Sequence, residues 1–156
     1  MIEISLAAED TRSAFDAETI DLLIECAKEG DLPAFQAICE KLEKRSLNAD
    51  AQGFLGWTPA HWAAREGHVH ILVYLHDIHA NLDIVDKKGD TLLHKAASNG
   101  QYRVCQWLLE HGFNVQAKNN HQRTPLDLAR QHLGLANTSE AALTEAILAR
   151  ENANTF

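Results

Sequence analysis

Apolar positions along this chain come in short bursts at helical spacing, separated by polar, turn-rich segments. Val69, Ile71, Leu72 and Leu75 make one apolar face, and Tyr102, Val104, Cys105 and Leu108 repeat it. Apolar residues three and four apart line one side of a helix, so each burst predicts a helix packed on one side. A shorter helical stretch precedes each burst. Thr58 suits an N-cap, and Pro59 suits the first helical position, where its missing N–H costs nothing. Ala63 and Ala64 favour helix and have little bulk, so a neighbouring helix can come close. Gly67 stands where that helix must stop in a left-handed conformation. The segment Asn81 to Gly89 ends in Asp86-Lys87-Lys88-Gly89 and predicts a hairpin between units. At the N-terminus Ile2, Ile4 and Leu6 alternate with Glu3 and Ser5, a strand-like pattern. Residues 1–15 are therefore expected to be a flexible arm, one that docks on the first helices, or one that pairs with another chain.

The helical pattern recurs with a fixed period. Thr58-Pro59-Ala60-His61-Trp62-Ala63-Ala64-Arg65-Glu66-Gly67-His68 returns 33 residues later as Thr91-Leu92-Leu93-His94-Lys95-Ala96-Ala97-Ser98-Asn99-Gly100. A third copy opens with Thr124-Pro125-Leu126-Asp127-Leu128-Ala129. A fainter one, Leu22-Leu23-Ile24-Glu25-Cys26-Ala27-Lys28-Glu29-Gly30-Asp31, precedes them by 37 residues, so a longer loop is expected near Lys41 to Ser46. Helix, turn, helix, hairpin at a constant period describes a solenoid, in which each unit buries its apolar face only against its neighbours.

These motifs resemble the ankyrin repeat, whose hallmark is Thr-Pro-Leu-His-x-Ala-Ala followed by Gly-His. The resemblance covers residues 19 to about 150 and implies an all-α solenoid of about four helix-turn-helix units. The first and last units depart from the pattern as caps would. Residues 16–45 read as the first cap, with a helix beginning at Asp16-Ala17-Glu18-Thr19. The last unit has Asp127 for the histidine, Arg130 for the second alanine and Gly134 one place late; its second helix is expected after Asn137-Thr138-Ser139-Glu140. One domain over 16–150 and a tail over 151–156 complete the layout. The resemblance also implies that His61 and His94 clamp a threonine to the neighbouring loop.

Composition narrows the function. At 46% apolar and 23% charged residues, the chain has the make-up of an ordinary globular domain. No apolar run approaches the roughly 20 residues of a membrane span. A net charge of −8 disfavours DNA, RNA and anionic lipid, which select for Lys and Arg. Cys26, Cys39 and Cys105 are odd in number and sit among apolar neighbours, as small buried hydrophobes in a reducing cytoplasmic or nuclear compartment. Nine histidines raise the question of metal, yet no Cys/His set has zinc spacing, and no catalytic motif occurs. The expectation is a non-enzymatic module without cofactor or metal.

Ankyrin-repeat proteins bind partners with their hairpin tips and the concave face of the first helices, so the resemblance places a protein-binding surface here. It maps to Phe54, Leu55, Trp57, Trp62, Arg65 and Glu66 in one unit. The matching places are Lys87, Lys88, Asp90, Lys95, Ser98 and Asn99 in the next, then Asn120, His121 and Arg123. The Phe54-Leu55-Gly56-Trp57 tip is unusually apolar for a solvent-facing hairpin. It either anchors a partner or folds back on the loop at 48–53, and the sequence leaves both open. Trp62 and Lys95 hold the same place in successive units, which invites a cation–π contact between them; otherwise Trp62 packs and Lys95 extends into solvent. Two functions follow: an adaptor, inhibitor or targeting subunit, monomeric until it meets its partner, or a scaffold that self-associates through the Phe54/Trp57 patch.

Overall fold

A computed structural model of the chain describes the backbone of residues 2–43, 49–53 and 55–155, with side chains from Asp16 onward. Among the described residues the structure is all helical: α1 (Ile2–Glu29), α2 (Leu32–Glu43), α3 (Pro59–Glu66), α4 (Val69–Asp77), α5 (Leu92–Ser98), α6 (Tyr102–Glu110), α7 (Pro125–Ala136) and α8 (Ser139–Asn154). Successive helices pair as α1/α2, α3/α4, α5/α6 and α7/α8. The first helices stack in the order α1, α3, α5, α7, and the second helices in the order α2, α4, α6, α8. The copies beginning at Thr58 and Thr91 thus lie side by side, as a solenoid requires.

The core follows the period. Ala63, Ala64, Ala96 and Ala97 are wholly buried between first helices, where a larger side chain would hold the stack apart. Ile71, Leu72 and Leu75 recur as Val104, Cys105 and Leu108, all buried. Each large aliphatic side chain buried in this way contributes about 1.5–3 kcal/mol. Leu23, Ala27, Phe35, Cys39 and Leu42 extend the core at one end, and Leu126, Ala129 and Leu148 at the other. The cysteines behave as hydrophobes: burial pushes the Cys39 and Cys105 thiols up to about 12, leaving no reactive thiolate at neutral pH.

Helix ends follow the cap chemistry. Gly67 closes α3 at φ 87°, and Gly100 closes α5 at φ 68°. A side chain at Gly100 would place its Cβ 2.9 Å from His132 Nε2 on the next unit, in a backbone conformation hostile to branched residues. Gly100→Val is expected to cost more than about 1 kcal/mol, read from the urea midpoint; an unchanged midpoint would refute the left-handed cap.

Both ends differ from expectation. The strand-like alternation at Ile2 to Leu6 is not realised, and α1 does not begin at Asp16. Residues 2–29 form one helix, because no glycine or proline interrupts that stretch and a continuous helix satisfies its own backbone groups. In the last unit α7 passes through Gly134 and stops at Asn137, whose φ of 45° supplies the left-handed turn three residues later. Thr138 then caps α8 by accepting from the Ala141 amide, so α8 starts at Ser139, within the stretch after which it was expected, and continues to Asn154. Residues 44–48, in the loop expected to be long, lie outside the described residues, as does Phe54.

Candidate functional site

Three hairpin tips repeat one backbone design. The amides of Gly53, Asp86 and Asn119 donate to the carbonyls of Trp57, Asp90 and Arg123, at 2.9, 3.1 and 3.0 Å. Neighbouring tips are joined through the main chain, Lys87 N–H to Leu55 O at 3.3 Å and Asn120 N–H to Lys88 O at 2.9 Å. In the second and third tips a side chain braces the turn. Asp86 Oδ1 accepts from the amides of Lys88 and Asp90, and Asn119 Oδ1 from those of His121 and Arg123. Gly53 holds this place in the first tip and offers no such brace.

The tips are tied to the helices by the expected clamp. His61 Nδ1 accepts from the Thr58 amide at 3.1 Å, and its Nε2 lies 3.3 Å from the Asp90 carbonyl. His94 repeats this with the Thr91 amide at 3.2 Å and the Arg123 carbonyl at 2.9 Å. A ring nitrogen that accepts from an amide carries no proton, so each imidazole is neutral and donates through Nε2. Burial holds both histidines below their ordinary pKa, against the carbonyl bonds, which favour protonation. Asp127 Oδ2 closes the third cap on the Thr124 amide at 2.9 Å, in a unit that no further tip follows among the described residues.

A charged cluster joins the first two tips. Lys95 Nζ lies 2.7 Å from both Asp86 Oδ2 and Asp90 Oδ2, and all three side chains are almost fully buried. Trp57 donates its indole N–H to Asp86 at 2.8 Å, and its ring lies 4.4 Å from Lys95 Nζ. Asn119 Nδ2 donates to Asp90 Oδ1 at 2.8 Å. Burial pushes the Asp86 carboxyl up, but the Lys95 ammonium and the amides of Asp90 and Lys88 bring it below the usual carboxylate range.

This corrects the reading of Lys95. It neither extends into solvent nor sits on Trp62. Two carboxylates in a buried site attract an ammonium more strongly than one aromatic face does. Trp62 is half-buried against the core, with Lys28 Nζ 4.6 Å from its ring and Arg65 Cζ at 5.7 Å. At the apolar tip Trp57 lies half-buried beside Trp62 with its N–H committed to Asp86, while Leu55 is exposed rather than folded back on the loop at 48–53, and Phe54 lies outside the described residues.

Between the tips and the first helices runs an open groove of about 600 Å³. It gathers Trp57, Arg65, Lys88, Asp90, Lys95, Ser98, Asn99, His121 and Arg123 from the predicted surface, and adds Asn119 and Leu128. Leu55, Trp62, Glu66, Lys87 and Asn120 do not line it. Asp86 and Asn119 carry a signal that could have found them, since they hold the same turn position one period apart. No group of three or more His, Cys, Asp or Glu side chains could hold a metal among the described residues. Several histidines take structural roles. His68 Nε2 bonds the Lys28 carbonyl and His70 Nε2 that of Gly30, while His76 and His111 gather around Trp107.

A family model for ankyrin repeats in three copies matches residues 23–119 and 75–143. The chain belongs to the ankyrin-repeat family. It is similar to the probable 26S proteasome regulatory subunit p28 of Saccharomyces cerevisiae, at 30% identity over 69% of this chain and 53% of that protein. It is also similar to human ankyrin repeat and SOCS box protein 3, at 32% identity over 70% of this chain and 21% of that one. The alpha-latroinsectotoxin-Lt1a of Latrodectus tredecimguttatus shares 38% identity over 46% of this chain and 5% of the toxin. The chain thus spans about half the length of one relative and far less of the other two. Ankyrin repeats are generally protein-interaction modules and generally not catalytic. No helix among the described residues is long and apolar enough to cross a membrane.

Proposed function

We propose that this ankyrin-repeat chain is a non-enzymatic adaptor, inhibitor or targeting subunit that seats a segment of another protein in the groove. The observation that carries this reading is the groove itself. One repeated backbone design delivers residues from three tips and their helices to a single open surface. Its walls are preformed: Asp86, Asp90, Lys95 and Asn119 hold one another, and the clamps fix the tips, so little ordering entropy is lost on binding. A cytoplasmic or nuclear setting fits three cysteines that remain free. Self-association through Trp57 has less support, because its N–H is already committed.

Ser98 lines the groove, whereas Gln106 lies exposed on α6, away from it. Affinity capture from the native lysate is expected to recover a partner with the wild type and with Gln106→Trp, and to lose it with Ser98→Trp. Circular dichroism would confirm that both variants are folded. A partner kept by Ser98→Trp and lost by Gln106→Trp would move the binding surface to the outer helices.

A further inference from the structure

Resting on the groove as the binding surface, we infer that the segment it takes is acidic, a short stretch of a partner protein rich in aspartate and glutamate. The chain as a whole has 14 basic and 22 acidic residues. The groove inverts that balance: Arg65, Lys88, Lys95 and Arg123 line it against one carboxylate, Asp90. Asp90 offers little to a partner, since one oxygen is held by Lys95 at 2.7 Å and the other by Asn119 at 2.8 Å. Lys95 is shared between Asp86 and Asp90, so the floor is not the source of attraction. The attraction comes from the rim, from Arg65, Lys88 and Arg123.

Each rim cation has charge to give. Arg123 donates Nη1 to Gln131, a neutral amide; its charge also bears on the exposed Asp127 carboxylate, and its other N–H groups remain to offer. Arg65 pairs with Glu66 at 2.7 Å, but both are substantially exposed, where such a pair is worth little and a guanidinium has further N–H groups to offer. Lys88 is exposed at the second tip. Carboxylates fit these donors in two-pronged fashion at arginine and as point charges at lysine. The net charge of −8 does not oppose a short acidic segment, because at physiological salt charges beyond about 8 Å are largely screened. It does oppose a long polyanion. Three rim cations neutralise few phosphates, and an extended nucleic acid would run out over the acidic surface.

The test uses a random peptide display library panned against the whole chain. Peptides that the wild type retains and Ser98→Trp loses are expected to be enriched in Asp and Glu. Their affinity is expected to fall about tenfold between about 0.1 M and 1 M salt, as the screening length shortens from about 10 Å to about 3 Å. The triple variant Arg65→Glu, Lys88→Glu, Arg123→Glu alters only partly or fully exposed side chains. It should select Lys- and Arg-rich peptides instead. Groove-dependent peptides with no acidic enrichment would overturn the acidic assignment and leave the groove standing. Retention indifferent to both Ser98→Trp and the triple variant would overturn the groove with it. A single-stranded oligonucleotide that outcompetes the selected peptides would assign the groove to nucleic acid and equally refute the inference.

Discussion

Lys95→Met is expected to cost about 3–5 kcal/mol of folding stability, because it removes one partner of a buried ion cluster and strands the rest. Methionine keeps most of the aliphatic stem, so lost packing is a small part of the effect. The large part is Asp86 and Asp90, two buried carboxylates left facing each other without their cation. Urea denaturation followed by circular dichroism measures the loss. Two controls identify the cause. The gap from wild type should narrow in acid, as Asp86 is protonated and loses the charge that Lys95 holds below the usual carboxylate range. The triple variant Lys95→Met, Asp86→Asn, Asp90→Asn should recover part of the loss, since neutral groups are cheaper to bury. A Lys95→Met midpoint equal to wild type would mean that the cluster is solvated.

The second large effect belongs to the clamp. His61→Ala is expected to cost about 3 kcal/mol, because it opens a cavity at a fully buried site, leaves the Thr58 amide without a partner and leaves the Asp90 carbonyl only the Asp86 amide. The same clamp makes wild-type stability pH-dependent. Burial puts the folded pKa of His61 and His94 below the unfolded value of about 6.5. The unfolded chain then binds more protons than the folded one below that pH. The contribution of both histidines is therefore full above about 6.5 and is lost as pH falls through their folded values. Asp86 and Asp127 are depressed carboxylates, so their contribution is lost lower, as pH falls from about 3.9 through their folded values. Stability measured against pH should thus decline in two stages. His61→Ala should shrink the upper stage and leave the lower one; an upper stage of unchanged size would show that His61 does not clamp in its neutral form.

What could be read from the sequence was local or periodic. The Thr58 and Thr91 caps, Gly67 and Gly100, and the paired alanines are each settled by chemistry within one turn. The period then states that each unit meets a copy of itself. The direction taken by a long side chain was not legible. Lys95 and Trp62 are equivalent positions, yet Lys95 turns to the carboxylates of its own tip while Trp62 lies beside Lys28 and Arg65, and spacing does not encode that choice. The half-burial of Trp57 was not legible, because its acceptor, Asp86, belongs to another unit 29 residues away. The alternation at Ile2 to Leu6 was over-read. A pattern this short does not outweigh an uninterrupted run to Glu29 that can complete its hydrogen bonds as one helix.

The main-chain bonds between tips, Leu55 to Lys87 and Lys88 to Asn120, carry a consequence for how this molecule tolerates change in length. Each rung is made at the same step along the chain, so the ladder keeps its register only when residues are gained or lost in whole blocks of 33. A single-residue deletion between Asp90 and Asn119 would unhook a rung, pull Asn119 away from Asp90 and misplace Arg123 beneath His94 in one stroke. Lengthening by one complete block would instead add a rung and a further stretch of wall. Evolution or an engineer could therefore extend this surface more easily than trim it.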